Sequence, residues 1–340
     1  MMLEVTGRKY VILALIVMTP GIPEYLTGSS SLFTILINPV AFFLGLGFNI
    51  GLYSAGALII REVAVIFRKG FASILAFGSA YGIAEEGLSV HTFFETSGGP
   101  VGNLAYYGHY AGVNLVWALG LTLFHAAFSI GLPLLFLAIA FPQYRQRRLL
   151  GRLGFATTVV VYLGTVVVLN AVAGSKPTPS LYLLFVTAAI VIGALGFSIS
   201  GRHLLPGRSN TTSGTRYFFA MGLIVFPVYV IYAILIGDNE GFGIIPPVVD
   251  MIFYLAACIF IPFRVASHLS MRDNSAQLFS FASGMVIPLM AWAILVSVIG
   301  IDPIAFIAVI IGVLLLRKLR SMVSSPSEIL ERNAQAELEL

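Results

Sequence analysis

Glu85 and Glu86 lie side by side in an apolar run that extends from Phe71 to about Phe94, and His125 lies in the next apolar run. An acidic residue at the centre of a membrane helix costs about 2.5 to 3.5 kcal/mol on insertion scales, so the pair costs roughly 5 to 7 kcal/mol. Residues that expensive face a protein interior or a wet cavity and mark a functional site by default. Counting from the inner end of its run, Glu85 is ~14 residues deep, about 21 Å along a helix axis. His125, counted from the outer end of a run that descends, is ~15 residues deep, about 22 Å. The three side chains are therefore expected at one depth, on adjacent antiparallel helices.

Two carboxylates at that depth repel each other, so one holds a proton while the other acts as a base. A carboxylate that activates water opposite a histidine donor is a hydrolytic arrangement. Glu85, Glu86 and His125 are thus the candidate catalytic residues. The same atoms suit a divalent metal ion such as zinc, although two glutamates and one histidine do not by themselves require one. The alternative without chemistry is a buried glutamate–histidine hydrogen bond that pins two helices. On an α-helix Glu85 shares a face with Tyr81, Ser89 and Thr92, and Glu86 with Gly82, Val90 and Phe93. The first face is the more polar, which makes Glu85 the deeper group. His125 shares its face with Leu121 and Ser129.

Tyr81, Ser129, His91, Arg61 and Glu62 are the candidate binding residues. Arg61 and Glu62 lie only ~6 residues from the inner end of their run, where a snorkelling arginine with a local partner is the simpler reading. His91 and Glu95 are one turn apart near an outer end, placed to line an entrance. Asn49 and Tyr53 are deeper on the helix of Arg61, where helical Asn often bonds a neighbour. Glu24 reads as an interfacial acid, Trp117 as packing, and His203 and His268 as solvated. Tyr106, Tyr107, His109 and Tyr110 read as an interfacial aromatic belt.

The elements that position these groups follow from composition. The chain has 340 residues, 58% hydrophobic and 10% charged, which excludes a soluble globular domain. Apolar runs recur at about 10–27, 32–67, 71–95, 111–141, 153–173, 180–200, 216–236, 246–268, 276–299 and 303–319, giving an all-α polytopic membrane protein with ten spans. Asn38-Pro39 and nearby glycines predict a kink or an interfacial start in the second run. With the N-terminus inside, 17 of the 19 Lys and Arg residues fall on inner segments; Lys176 is outside and Arg61 lies within a span. This is the positive-inside pattern, with both termini cytoplasmic and the protein multi-pass in the cell (plasma) membrane. Residues 1–320 form one helical bundle, with the site core at about 58–136, followed by a cytoplasmic tail, 321–340. Ser325-Pro326-Ser327-Glu328 in that tail has capping-box spacing and predicts a short helix lying in solvent or on the membrane surface.

Partners are the lipid bilayer and a membrane-associated peptide or protein substrate, since the basic residues are accounted for by topology and none points to nucleic acid. No lysine lies within a span, which excludes a retinal Schiff base. There is no phosphate-binding glycine loop and no Cys-x-x-Cys, and Cys258 is the single cysteine.

A Glu-Glu pair in one membrane helix followed by a histidine in the next resembles the superfamily of CAAX proteases and bacteriocin-processing enzymes, which includes the PrsW-type intramembrane proteases. The resemblance covers about residues 58–136. Val90 stands where that superfamily's first motif has arginine, Leu121 where its second has phenylalanine, and no later span carries its third motif. His125-Ala-Ala-Phe-Ser129 is nearer the PrsW-type pattern, and Arg61-Glu62 stands where that type has Glu-Glu. The resemblance implies that Glu85 or Glu86 activates water and His125 assists. The stretches 23–30, 57–62, 80–88 and 124–130 resemble more closely a group of prokaryotic multi-pass membrane proteins of uncharacterised function, over roughly the first 140 residues.

The expected function is an intramembrane hydrolase, a glutamate-dependent or metal-assisted peptidase. Two alternatives stand beside it. A proton-coupled permease would use intramembrane Glu and His as a relay, with five spans in each half, but the second half has no counterpart of the glutamate pair. A catalytically silent accessory subunit would keep the motifs while holding a partner protein.

Overall fold

The computed structural model describes residues 2–95, 107–199, 213–234, 245–269 and 274–323. The tail segment 325–328, His203 and Tyr106 lie outside the described residues. Ten long helices run through the rest: α1 (2–25), α2 (Pro39–Ile66), α3 (71–89), α4 (Leu115–Ala140), α5 (Arg152–Val172), α6 (Pro179–Ser198), α7 (215–234), α8 (Pro247–His268), α9 (Ser275–Val298) and α10 (Phe306–Met322). Seven are long and apolar enough to cross a membrane. The helix that carries the two glutamates, α3, is not among those seven, because ionisable residues, Gly and Ser dilute its apolar character. The only strand pairing among the described residues is a two-residue ribbon, in which His109 and Tyr110 pair with Asn114 and Val113. Ala111 and Gly112 both have positive φ (51° and 83°), the combination that a tight two-residue hairpin requires.

The long second apolar run resolves into a short helix, Thr34–Ile37, and then α2. Asn38 breaks the first at φ −146° and caps the second, its side chain accepting from the Ala41 N–H, with Pro39 at the first helical position. The expected disturbance at Asn38-Pro39 is thus a break between two helices, not a bend within one.

The bundle is built around α4, of whose most apolar stretch 89% is buried. Close approach to α3 is set by small residues. A Cβ on Gly78 would lie 2.9 Å from Ala126 Cα, and one on Gly82 would lie 3.0 Å from His125 Cβ and 3.1 Å from Thr122 Cα. This glycine pair at four-residue spacing lets the two backbones meet, as small residues do at helix interfaces in lipid. It delivers the carboxylates one turn later directly onto His125. A second close crossing joins α7 to α9, where a Cβ added to either Gly222 or Gly284 would lie 3.0 Å from the other's Cα.

Candidate functional site

Glu85, Glu86 and His125 converge, all buried. His125 Nε2 lies 3.0 Å from Glu86 Oε1 and His125 Nδ1 lies 3.1 Å from Glu85 Oε2. The depth match expected from residue counting is therefore a direct contact. Glu85 is the deeper of the pair, at 2% exposure against 8% for Glu86. Ser129, one turn beyond His125, lies 2.8 Å from its Nδ1 and fixes the ring from behind.

An α-helix would set neighbouring residues 100° apart, which limits how far two adjacent side chains can share one target. The backbone departs from that geometry here. Residues Ile83–Ser89 and His125–Gly131 are π-helical, with wider turns. The Val90 N–H donates to the Glu85 carbonyl at 2.9 Å, and the Ser89 hydroxyl donates to the Ala84 carbonyl at 2.8 Å, both five residues back. Two further π-helical segments occur, Gly21–Tyr25 and Ile50–Ser54. Each of the four carries a member of the same polar cluster: Glu24, Tyr53, the glutamate pair, and His125 with Ser129. Such widened turns are rare and gather at functional sites.

Glu24 is the member that sequence reasoning misplaced. It is no ordinary interfacial acid, because Oε1 accepts from the Tyr53 hydroxyl and Oε2 from the Ser30 hydroxyl, each at 2.5 Å. Asn49 Nδ2 donates to Ser30 Oγ at 3.0 Å. The Tyr53 hydroxyl also lies beside Glu85, and its ring centroid is 6.0 Å from the imidazole. Tyr81 meets the same imidazole edge-on at 6.1 Å, and Tyr162 flanks Tyr81 at 6.2 Å. Gly56 makes room for the Tyr81 ring, since a Cβ there would lie 2.5 Å from it. On the other side of the centre, the Thr92 hydroxyl donates to Glu86 Oε2, and Trp117 Nε1 donates to Thr92 Oγ1 at 3.0 Å. Trp117 thus does more than pack. Thr92 serves Glu86, not Glu85 as a continuous α-helix would have it, because α3 ends at Ser89 and His91 turns the chain at φ 64°. The one signal that could have found this cluster is the recurrence of Glu, Tyr and Thr at compatible depths on separate runs.

Tyr81 and Ser129 belong to the centre; the remaining expected binding residues do not. His91 Nδ1 lies 2.7 Å from the Ser175 carbonyl oxygen, and its Nε2 lies 3.0 Å from Asn170 Nδ2. Glu95 accepts from the Ser175 hydroxyl at 2.9 Å. These groups fasten the outer end of α3 to α5 and the α5–α6 connection. Arg61 donates to Glu62, to the Tyr144 carbonyl and, at 2.5 Å, to the Arg147 carbonyl. Glu62 accepts from the Leu149 N–H at 2.9 Å and lies 3.4 Å from Arg148 Nε. The pair clamps the inner loop after α4, a local partnership of the snorkelling kind, now fully buried at Glu62. The His268 ring lies 4.5 Å from that of Tyr217, tilted by 32°, and is not merely solvated.

A family model described as "Uncharacterized membrane protein family" matches residues 11–325. The chain belongs to that family. The match bears out the resemblance to a multi-pass membrane family of undefined function and does not extend to the protease superfamily. No curated protein and no solved structure matches the chain. What the chain does in its membrane is therefore read from the centre itself.

Proposed function

We propose that the chain is an intramembrane hydrolase that cleaves a peptide bond in a membrane-associated peptide or protein, in the plasma membrane. The observation that carries this reading is one buried imidazole held between two buried carboxylates of the neighbouring helix, at 3.0 and 3.1 Å. In this reading a water molecule gives its proton to a carboxylate of the pair, and its oxygen adds to the scissile carbonyl. Protonated His125 then gives its proton to the leaving nitrogen as the carbon–nitrogen bond breaks, and recovers one from the carboxylate that took it from water. Ser129 holds the imidazole in the orientation that this transfer needs, and Thr92 does the same for Glu86. Each acid or base in such a scheme contributes about 10²–10⁴ in rate.

The test is a peptidase assay on the full chain in liposomes, comparing wild type with Glu85→Gln, Glu86→Gln and His125→Ala. Cleavage falling by about 10²-fold or more in His125→Ala and in at least one glutamine variant supports the reading. His91→Ala, which touches only the outer fastening, leaves the rate unchanged. Cleavage that is indifferent to all three central substitutions sinks it.

The run of polar groups from Ser30 through Glu24 and Tyr53 to Glu85 favours a second reading, proton movement from the outer side in a proton-coupled permease. Liposomes loaded with a pH-sensitive dye separate the two. Proton uptake that Glu24→Gln and Tyr53→Phe abolish, without peptide cleavage, supports transport.

A further inference from the structure

We propose that Glu85, Glu86 and His125 are the protein ligands of one divalent transition-metal ion of the zinc class. As a binding site this stands on its own; what the ion would do there rests on the hydrolase reading, in which bound metal would take over the activation of water from a free carboxylate and leave His125 as a ligand, not a proton donor.

The three residues each offer a ligand atom, and those atoms lie within 4.8 Å of one another. With metal–ligand bonds of about 2.0–2.2 Å, the ligand atoms of a tetrahedral site sit about 3.3 Å apart. The 3.0 Å between His125 Nε2 and Glu86 Oε1 is already close to that. Glu85 Oε2 is buried and makes no hydrogen bond, although it faces the imidazole. The imidazole nitrogen that faces it, His125 Nδ1 at 3.1 Å, lies closer to Ser129 Oγ, at 2.8 Å, so this buried acceptor is the atom that a cation would satisfy.

Charge points the same way. Two ionised carboxylates carry two negative charges into the bundle, and among the described residues the nearest basic pair partner is His125 itself. Arg61 is committed to Glu62 and the inner loop. One divalent ion cancels the pair's charge without requiring the histidine to be protonated. The atoms behind the ligands are those that a metal site needs. If Ser129 Oγ accepts the Nδ1 proton, the Nε2 lone pair is directed at the metal position. Glu86 keeps Oε1 for the ion because Thr92 occupies its Oε2. Three protein ligands leave a fourth position for water, the pattern of catalytic zinc sites.

The full chain is purified in detergent, stripped with a chelator, and titrated with Zn²⁺ while bound metal is measured by mass spectrometry and calorimetry. One Zn²⁺ per chain is expected, with visible d–d bands of a four-coordinate ion on Co²⁺ substitution. Glu85→Gln and Glu86→Gln abolish stoichiometric binding, and Ser129→Ala weakens it by about 10- to 100-fold. Circular dichroism and elution profile identify any variant that fails to fold. Should His125→Ala fail, His125→Cys retains a zinc ligand and shifts the Co²⁺ spectrum. Folded wild type that takes up no ion overturns the proposal, as do glutamine variants that bind like wild type. Metal-free, chelator-insensitive cleavage overturns the metal and leaves the hydrolase; stoichiometric zinc without cleavage does the reverse.

Discussion

Helices α4 and α5 have nearly the same mean hydropathy, 2.1 and 2.0, yet 89% of the apolar stretch of α4 is buried and none of that of α5. Helix α6, at 2.2, is buried over only 6%. Lipid is as apolar as a protein core, so hydropathy cannot say which helix is surrounded by protein. The difference lies in small and polar residues. Helix α4 meets α3 through glycines and carries His125 and Ser129, whereas α5 presents Leu153, Val160, Val167 and Val172 at exposures of 66–82%. The first four helices make a polar centre, and α5 and α6 pack outside it, with Tyr162 and Asn170 as the inward reach of α5.

The sharpest way to break this contrast is to remove one member of the buried set. His125→Ala leaves two carboxylates facing each other and is expected to destabilise the metal-free protein by about 3–5 kcal/mol. Val160→Ala, in the lipid-facing row of α5, is expected to cost well under about 1 kcal/mol. Thermal unfolding in detergent followed by circular dichroism compares the two; equal losses would dissolve the distinction.

A second test makes one substitution in both regions. Gly82→Leu forces a side chain onto the Thr122 backbone and His125, at an expected cost of about 1–3 kcal/mol or more. Gly164 has nothing within 4 Å of a Cβ, so Gly164→Leu is expected to be neutral in the same melt. Below Gly82→Leu comes Tyr53→Phe, at an expected loss of about 0.5–1.5 kcal/mol, since Glu24 keeps the Ser30 hydroxyl when it loses the Tyr53 donor. Ser129→Ala sets the lower end, about 0.6 kcal/mol, typical of a hydrogen bond within a membrane bundle.

Much of this was legible in the chain itself. Ten apolar runs foretold ten long helices, and counting along two of them brought Glu85 and His125 to one level because both helices start at opposite faces of the same slab. Glu24 was misread because its depth is shallow and its value comes from Tyr53, a residue on another helix whose rotation about its axis no hydropathy pattern records. The Thr92–Glu86 bond was invisible for a related reason: it depends on where α3 stops, and His91 ends it in a left-handed conformation that only Gly or Asn would have advertised. Arg61 and Glu62 sit near the C-terminal end of α2, but the loop that buries them, 142–150, carries no pattern of its own.

The widened turns have a consequence for inheritance. Each houses a residue more than an ordinary helical turn would, so losing one residue between Ile83 and Ser89 would let the stretch close into a regular helix, with adjacent side chains about 100° apart and the chain beyond it little moved. Both acids could not then face the same ring. A one-codon change in length, silent to any measure of greasiness or span count, would dismantle the centre while the bundle survived, so descendants of this chain that keep the centre must keep the count.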